Sequence, residues 1–388
     1  MSQRDPLRIG VITSNRADYG LLQPVMQAIA AEPSLQLQTI VTGAHLCNAF
    51  GQTWRAIEAD GFTIDAKLDM ELTGDDAASI THSTGRLVQL AGAALDKLKP
   101  DLALVLGDRY EILAVALAAT IARIAIAHLC GGDLTEGAFD DANRHAITKL
   151  SHLHFPSNAP AAARIVQMGE DPARVHGVGS PGLDAIRTMS FLSREELEAS
   201  LGLSLHERNL LVTFHPVTLD ATPSVEQVRE LLDALDTLQP AHGLIFSGAN
   251  ADPEGMAIND RVRAWCESRP HAWFFESLGH ARYLSLMRQV DAVVGNSSSG
   301  LYEAPSMKVP TVNIGSRQTG RLKATSVIDC EPKAEAIAAA IAKAQAMDCD
   351  DVVNPYGDGH ASGRIVAVLR AINDPHALLR KRFHEVKA

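Results

Sequence analysis

The chain of 388 residues carries 46 acidic and 35 basic side chains, which gives a net charge of −11. This balance argues against a general nucleic-acid or membrane-surface binder, because such proteins present a basic face. Hydrophobic residues make up 46% of the sequence and charged residues 21%, as in an ordinary water-soluble globular protein. At roughly 150 residues per domain, the length predicts two or three domains.

Five scattered cysteines without a CxxC pair favour a reducing compartment over a disulfide framework. The polar N-terminus runs straight into a strand-like segment, so we expect no signal peptide. One apolar stretch, 112–129, is rich in alanine and contains Arg123. A buried helix followed by a strand explains it better than a membrane span. We therefore expect a soluble, cytoplasmic protein that binds neither membranes nor nucleic acid.

Short apolar runs alternate with helix-period stretches in the first half of the chain. Strands alternating with helices are typical of βαβ units and of a parallel sheet covered on both faces. Continuous apolar runs such as LALVLG and IAIAHL indicate strands that are buried on both faces. The predicted strands are 8–13, 35–42, 102–106, 124–128 and 152–156, and the predicted helices include 21–31, 80–98, 110–122 and 143–150.

The alternation pauses at VHGVGSPGLD (175–184) and restarts after a polar helix that Ser193 and Glu196 should begin with a capping box. The boundary between the two halves of the chain should therefore lie near residues 175–190. In the second half, an Ala-rich helix is predicted at 334–346. The pattern predicts an α/β fold of two doubly wound, Rossmann-like domains, with ligand bound in the cleft between them at the carboxyl ends of the strands. Strands of the second half are predicted at 209–214, 243–246, 272–275, 292–294 and 311–314.

Two further patterns in the sequence have ordinary structural explanations. Gly177, Gly179 and Gly182 match the spacing of a dinucleotide fingerprint, but Pro181 lies inside the turn and no second strand with an acidic end follows. We favour an interdomain turn and expect no cofactor. The histidines at 145, 152 and 154 lie where a helix passes into a strand, and packing or substrate contact is a better interpretation than a metal site.

Charged or histidine side chains follow five of the predicted strands. Each alone could be a helix cap or a surface ion pair. Because the carboxyl ends of parallel strands meet at one edge, their coincidence indicates a shared site. The segments are 14–20, 107–111, 128–144, 215–218 and 295–300.

The segment Asn296-Ser-Ser-Ser-Gly should open a helix through Glu303. Backbone N–H groups, hydroxyls and the helix dipole would hold a phosphate there without requiring a basic protein. Glu303 would accept hydrogen bonds from ribose hydroxyls, and Arg317 and Arg321 would supply positive charge. The ordinary alternative for Ser297–Ser299 is a plain N-cap.

Several motifs, in order and spacing, make the chain resemble the hydrolysing nucleotide-sugar 2-epimerases of sialic and legionaminic acid biosynthesis, within the UDP-N-acetylglucosamine 2-epimerase superfamily. The likeness covers almost the whole chain. Its motifs are NRADYG (15–20), VTGAHL (41–46), LKPDLALVLGDRYE (98–111), DDANRHAITKLSHLHF (140–155), FHPVTLD (214–220), VGNSSSGLYEAP (294–305) and IGSRQTGR (314–321).

The resemblance implies the GT-B fold: residues 1–178 form the sugar-side domain, completed by a returning C-terminal segment, 362–388, and residues 179–361 form the UDP-binding domain. It also implies a UDP-sugar substrate, no metal and no cofactor, and a homo-oligomer, dimer or tetramer. The implied catalytic residues are Asp108, Asp140, Arg144 and His215. The implied substrate-binding residues are Arg16, Asp18, Arg109, Asp133, Asn250, Ser297, Ser298, Glu303, Arg317 and Arg321.

The implied reaction converts UDP-N-acetylglucosamine and water into N-acetylmannosamine and UDP. UDP leaves carbon 1 by elimination to a 2-acetamidoglucal, and water then adds from the other face. Asp108 and Asp140 are the expected acid/base groups. Some relatives carry a glutamate where this chain has Cys130, so acid/base duty would lie with the aspartates, with Asp133 or Glu136 as possible contributors.

Four alternatives stay open. The first keeps the reaction but changes the substrate to UDP-N,N′-diacetylbacillosamine. The others are a GT-B glycosyltransferase, a non-catalytic nucleotide-sugar sensor, and a non-hydrolysing epimerase that keeps UDP attached.

Overall fold

A computed structural model describes residues 5–48, 51–74, 76–135, 139–217, 222–238, 242–249 and 253–386. Two of the positions considered above, Glu136 and Asn250, lie outside these ranges. The chain forms two compact units. Unit 1 comprises Met1–Ala185 and Tyr356–Ala388, and unit 2 comprises Ile186–Pro355.

Unit 1 is built on a six-stranded sheet in the order β3-β2-β1-β4-β5-β6, and all its paired strands are parallel. Every residue of β4 and β5 is buried, as the continuous apolar runs predict. The strands are β1 (Leu7–Thr13), β2 (Leu35–Thr42), β3 (Ile64–Leu68), β4 (Leu102–Leu106), β5 (Ala125–Leu129) and β6 (Leu153–Phe155).

Helices cover both faces of this sheet. Alternate residues of one strand point to opposite faces, so Leu104 belongs to a core with α1 and α14 while Val105 belongs to a core with α3, α4 and α5. The helices are α1 (Arg16–Ala31), α2 (Trp54–Ala59), α3 (Ala77–Leu98), α4 (Tyr110–Ile121), α5 (Phe139–Leu150), α6 (Ala159–Gln167), α7 (Gly182–Thr188, across the unit boundary), α14 (Ala361–Arg370) and α15 (Pro375–Leu378).

Unit 2 repeats the same topology with the parallel order β12-β11-β10-β7-β8-β9. Its strands are β7 (Arg208–Thr213), β8 (His242–Ser247), β9 (Ala272–Phe275), β10 (Ala292–Gly295), β11 (Thr311–Ile314) and β12 (Val327–Cys330). Its helices are α8 (Arg194–Leu201), α9 (Ser224–Asp236), α10 (Pro253–Glu267), α11 (His280–Met287), α12 (Ser299–Tyr302) and α13 (Ala334–Gln345).

Two strands, β3 and β12, were not predicted. Both are edge strands, paired on one side only, and their residues are mostly half-exposed, so they lack the continuous apolar run of a central strand. Helix α1 begins five residues earlier than predicted, because the side chain of Asn15 accepts from the backbone of Asp18 and Asp18 accepts in return. The capping box of Ser193 and Glu196 is confirmed.

The glycine-rich segment 175–184 forms a turn that receives the returning chain. Ser180 N–H donates to Tyr356 O at 2.7 Å, and the carboxylate of Asp184 accepts from the first two backbone N–H groups of α14, Ala361 (2.9 Å) and Ser362 (2.6 Å). The apolar stretch 112–129 is divided between α4 and β5. Within the described ranges, no helix is long and apolar enough to cross a membrane.

Candidate active site

The strand order of unit 1 reverses between β1 and β4, which lie side by side at the centre of the sheet. Loops that leave two such strands diverge and open a crevice at their carboxyl ends, where doubly wound proteins bind ligands. Asn15 follows β1 and is followed by Arg16, the first residue of α1, while the loop after β4 carries Asp108 and Arg109. The topology therefore brings two of the predicted segments to one edge.

Arg144 connects this edge to α5. Its guanidinium is only 7% exposed, and Nη2 donates to a carboxylate oxygen of Asp108 and to Thr135 Oγ1 at 2.9 Å. Nη1 donates to Asp133 O at 2.9 Å and to Asp141 Oδ1 at 3.3 Å. A buried guanidinium held by four acceptors fixes the Asp108 carboxylate in one place beside the start of α5.

Asp140 lies in the first turn of α5 and is half-buried. Burial raises its pKa, and the charge of Asp108 raises it further, while Arg109 and Arg144 act in the opposite direction. Two neighbouring carboxyl groups with different environments are the arrangement that enzymes use to separate acid and base roles. Asp108, Asp140, Arg109 and Arg144 thus form one cluster in unit 1.

Glu111 completes the cluster and was not predicted as a site residue. Its carboxylate is fully buried and receives three hydrogen bonds from Arg109, at 2.7, 3.0 and 3.2 Å. Gly43 leaves room for it: a Cβ there would lie 3.4 Å from Glu111 Oε1 and 2.7 Å from Ser14 O. A lone carboxylate at the start of the otherwise apolar α4 is the sequence signal that marks this position.

The other predicted residues of unit 1 have different surroundings. Both carboxylate oxygens of Asp18 are occupied by Thr13, Ser14 and Asn15 at the start of α1, and Arg16 is exposed on the first turn. The Asp133 carboxylate accepts from Asn158 Nδ2 at 2.8 Å and from Ser157 Oγ at 3.2 Å. In this structure, Asp18 and Asp133 therefore use their carboxylates to hold loops.

His128, at the end of β5, is fully buried between Gly107 O at 2.8 Å and Thr148 Oγ1 at 3.1 Å. Burial lowers its pKa to about 3, so its imidazole is neutral. Burial, together with the charge of Asp133, raises the pKa of the Cys130 thiol to about 12. A thiol that stays protonated at neutral pH does not replace a glutamate as a base.

Of the three histidines discussed above, two are buried. His152 Nδ1 lies 3.1 Å from the backbone N–H of Ile126, and His154 Nε2 lies 3.0 Å from Glu170 Oε2. His145 pairs with Asp141 at 3.4 Å on α5. Within the described part of the chain, no group of three or more histidine, cysteine or acidic side chains is arranged to hold a metal ion.

Unit 2 has its own switch point between β7 and β10. Asn296 follows β10, is fully buried, and exchanges two hydrogen bonds with the backbone of His215, which follows β7. Gly295 makes this approach possible: its φ is +134°, and a Cβ would lie 1.9 Å from Thr213 O.

The turn that follows, Ser297–Ser299, leads into helix α12, as the sequence predicted. Helix α12 has only four residues before a 3₁₀ turn, so few aligned peptide dipoles are present and the contribution of a helix dipole is small. Ser298 occupies the N-cap position without a side-chain capping bond. Ser297 Oγ instead accepts from Ser299 N–H at 3.4 Å, and the turn presents hydroxyl and backbone donors to which an anion could bind.

Positive charge reaches the same turn from the loop after β11. Arg317 Nη1 and Gln318 Nε2 donate to Asn296 O at 3.1 and 2.7 Å, and Arg321 Nη1 donates to Gln318 Oε1 at 2.9 Å. Burial raises the pKa of the half-buried Glu303 to about 7, and its Oε2 has no hydrogen-bond partner among the described residues. His215, Ser297, Ser298, Glu303, Arg317 and Arg321 all belong to this edge of unit 2.

Comparisons with known proteins show what the chain is similar to. The family model described as UDP-N-acetylglucosamine 2-epimerase matches residues 27–370. A Campylobacter jejuni protein named GDP/UDP-N,N′-diacetylbacillosamine 2-epimerase (hydrolyzing) is 42% identical over 85% of each chain. A Legionella pneumophila UDP-N,N′-diacetylbacillosamine 2-epimerase (hydrolyzing) is 31% identical over 96% of this chain and 98% of its own. A Neisseria meningitidis UDP-N-acetylglucosamine 2-epimerase is 31% identical over 97% and 98%.

Solved structures share the fold. A Neisseria meningitidis UDP-GlcNAc 2-epimerase bound to UDP-GlcNAc superimposes with a TM-score of 0.76 at 17% identity, over 94% of this chain and 99% of the other. The Methanocaldococcus jannaschii UDP-GlcNAc 2-epimerase gives 0.75 at 19% identity, over 94% and 99%. The predicted α/β fold with two Rossmann-like units of the GT-B type is confirmed, and the chain belongs to the UDP-N-acetylglucosamine 2-epimerase family.

Proposed function

We propose that this protein is a hydrolysing 2-epimerase of UDP-2-acetamido sugars, which converts UDP-N-acetylglucosamine and water into N-acetylmannosamine and UDP. The observation that carries the proposal is the cluster in unit 1: Asp108 fixed by Arg144 beside Asp140, whose pKa is raised. In a chain of this family, such a pair supplies the proton transfers that the reaction needs.

Carbon 2 of the sugar has no carbonyl neighbour, so its proton is only weakly acidic. We propose that one carboxylate removes this proton while the bond between carbon 1 and the UDP oxygen breaks, which leaves a 2-acetamidoglucal. Water then adds its oxygen to carbon 1, and carbon 2 receives a proton on the opposite face. Asp108 and Asp140 share these transfers, with Arg109 and Arg144 as the adjacent cations.

The departing diphosphate needs charge stabilisation. We propose that Ser297, Ser298, Arg317 and Arg321 of unit 2 supply it, because preorganised donors are the largest electrostatic contribution in such reactions. Glu303 would accept from ribose hydroxyls, and His215 would lie near the leaving oxygen. Arg16, Asp18, Asp133 and Asn250 remain proposed substrate contacts.

A second substrate, UDP-N,N′-diacetylbacillosamine, is favoured by one observation: the 42%-identical relative carries that sugar in its name, and that name also includes the GDP form. The test is chromatography of purified protein incubated separately with UDP-N-acetylglucosamine and with UDP- and GDP-N,N′-diacetylbacillosamine, without an acceptor. Release of free nucleotide and a 2-epimeric sugar in one tube would support the proposal. The nucleotide sugar added to that tube would then be identified as the substrate. Intact substrates in every tube, despite binding, would favour a glycosyltransferase or a sensor.

We also propose a homo-oligomer, dimer or tetramer, acting in the cytoplasm. The family relationship supports this oligomer, and light scattering on the eluted protein measures its mass. A mass near 41.5 kDa, that of one chain, would contradict it.

A further inference from the structure

Tyr283 links a helix of unit 2 to the serine turn. It lies in the first turn of α11, which begins after Gly279, and its hydroxyl is 2.5 Å from Ser299 Oγ. Leu286 and Met287 anchor α11 in the core against which Tyr283 packs. The phenol is therefore held by a packed helix, and the serine turn is held in part by the phenol.

The contact continues into the turn. Ser299 Oγ lies 3.4 Å from Ser297 Oγ, and Ser299 N–H donates to the same oxygen at 3.4 Å. The three side chains thus form a row, Tyr283 to Ser299 to Ser297. Because the last contacts are long, they do not fix the turn alone, and the short Tyr283–Ser299 contact is the stronger restraint.

The surroundings of the phenol determine its protonation state. Burial raises the pKa of Tyr283, as does the nearby charge of Glu303, although the hydroxyls of Ser299, Thr213 and Ser297 lower it. The phenol therefore keeps its proton at neutral pH and can donate to Ser299. Ser299 would then be free to direct its own O–H elsewhere, and hydroxyls in such a row polarise one another.

We propose that Tyr283 is a positioning residue for the phosphate-binding turn, and that it acts through Ser299 to orient the hydroxyls of Ser297–Ser299 toward the diphosphate. This inference rests on the proposed function, because it takes the turn to be the diphosphate site. No substrate atom needs to touch Tyr283.

The test compares UDP with uridine, which lacks the phosphates. Tyr283→Phe removes only the hydroxyl, and we expect it to weaken UDP binding about three- to tenfold, the effect of losing one hydrogen bond. Uridine binding, followed by ligand-observed NMR, should be unchanged. Ser299→Ala should show a similar loss, and the double variant should be little weaker than either single variant, because both remove the same contact.

Ser83→Ala is the matched control for Ser299→Ala. The Ser83 hydroxyl donates to Glu71 O at 2.9 Å in unit 1, so the variant loses one hydroxyl hydrogen bond away from the serine turn, and UDP affinity should not change. Two results would overturn this inference and leave the proposed function standing. One is a Tyr283→Phe variant that binds UDP within twofold of the wild-type affinity, and the other is a variant in which the affinities for uridine and UDP fall equally. Failure of the wild type to bind UDP overturns the proposed function and the inference with it.

Discussion

Asn296 and His215 are 81 residues apart, yet the side chain of one pairs with the backbone of the other. His215 N–H donates to Asn296 Oδ1 at 2.7 Å, and Asn296 Nδ2 donates to His215 O at 2.8 Å. Because β7 and β10 flank the switch point of unit 2, this pair of bonds closes the crevice at its base. The two bonds fix the position of the His215 backbone, from which the imidazole side chain extends.

Asn296→Ala should lower kcat/KM about 100-fold, because small misplacements of a site residue have effects of that order. It should also reduce the free energy of unfolding by about 1–2 kcal/mol, since the N–H and C=O groups of the half-buried His215 lose their partners. Steady-state kinetics and urea denaturation measure the two effects.

The chain offers a close control. Asn209, at the other end of β7, makes the same pair of bonds, both at 2.9 Å, with the backbone of His206. Asn209→Ala should destabilise the protein by a similar amount and leave kcat/KM near the wild-type value. Equal activity losses in the two variants would show that Asn296 is important only for folding.

Asp108→Asn and Asp140→Asn should each lower kcat by about 10²–10⁴-fold, the usual contribution of a positioned acid or base. Asp101→Asn is the control, because Asp101 forms an ion pair with Arg8 at the opposite end of β4. It should leave kcat unchanged and reduce stability by about 1 kcal/mol or less. Near-normal turnover of both Asp108→Asn and Asp140→Asn would refute the catalytic assignment.

Cys130→Ala should retain kcat within about threefold. The thiol has a pKa of about 12, so it is protonated at neutral pH and supplies neither a base nor a nucleophile. Kinetics of the variant between pH 7 and 9 check this, and the pH profile should match that of the wild type. A loss of more than tenfold would mean that the thiol contributes to the reaction.

Glu170 holds the C-terminal segment of unit 1 in place through contacts that depend on its negative charge. The buried carboxylate receives hydrogen bonds from His154, Lys149 and Lys381, and Lys381 also donates to the carbonyl oxygens of Lys149 and Ser151 at the end of α5. Burial would raise the pKa of Glu170, but these bonds outweigh it and hold the pKa at about 2.

Because this pKa is lower in the folded state than the ordinary value of 4.5, the stabilisation is complete above pH 5 and disappears as the pH falls toward 2. Glu170→Gln should reduce the free energy of unfolding by about 3 kcal/mol at pH 7, because the cations lose their partner. Urea denaturation from pH 7 to pH 3 should show a smaller acid loss in the variant than in the wild type. Parallel curves would contradict the assignment.

Much of the fold could be predicted because the central strands are continuous apolar runs. The strands β2, β4 and β11 have the predicted bounds, since mostly buried residues leave a clear pattern. The edge strand β9 also has the predicted bounds, because its sequence, AWFF, is a continuous apolar run. The edge strand β3 was missed, because exposed and half-buried residues alternate along it.

The cluster of Asp108, Asp140 and Arg144 was predicted from motifs, whereas the support around it was not. Tyr283 reaches Ser299 only through the packing of α11, and no spacing in the sequence indicates that contact. The helix α12 was predicted, but the 3₁₀ turn at Ala304–Met307 that follows it was not.

The most direct test of the proposed reaction is a proton NMR time course in D₂O, with UDP-N-acetylglucosamine and UDP-N,N′-diacetylbacillosamine in parallel tubes. Elimination followed by hydration predicts free UDP and a 2-epimeric sugar that carries deuterium at carbon 2. An epimerised sugar that keeps its proton at carbon 2, or that remains attached to UDP, would contradict this account, as would unchanged substrates in both tubes.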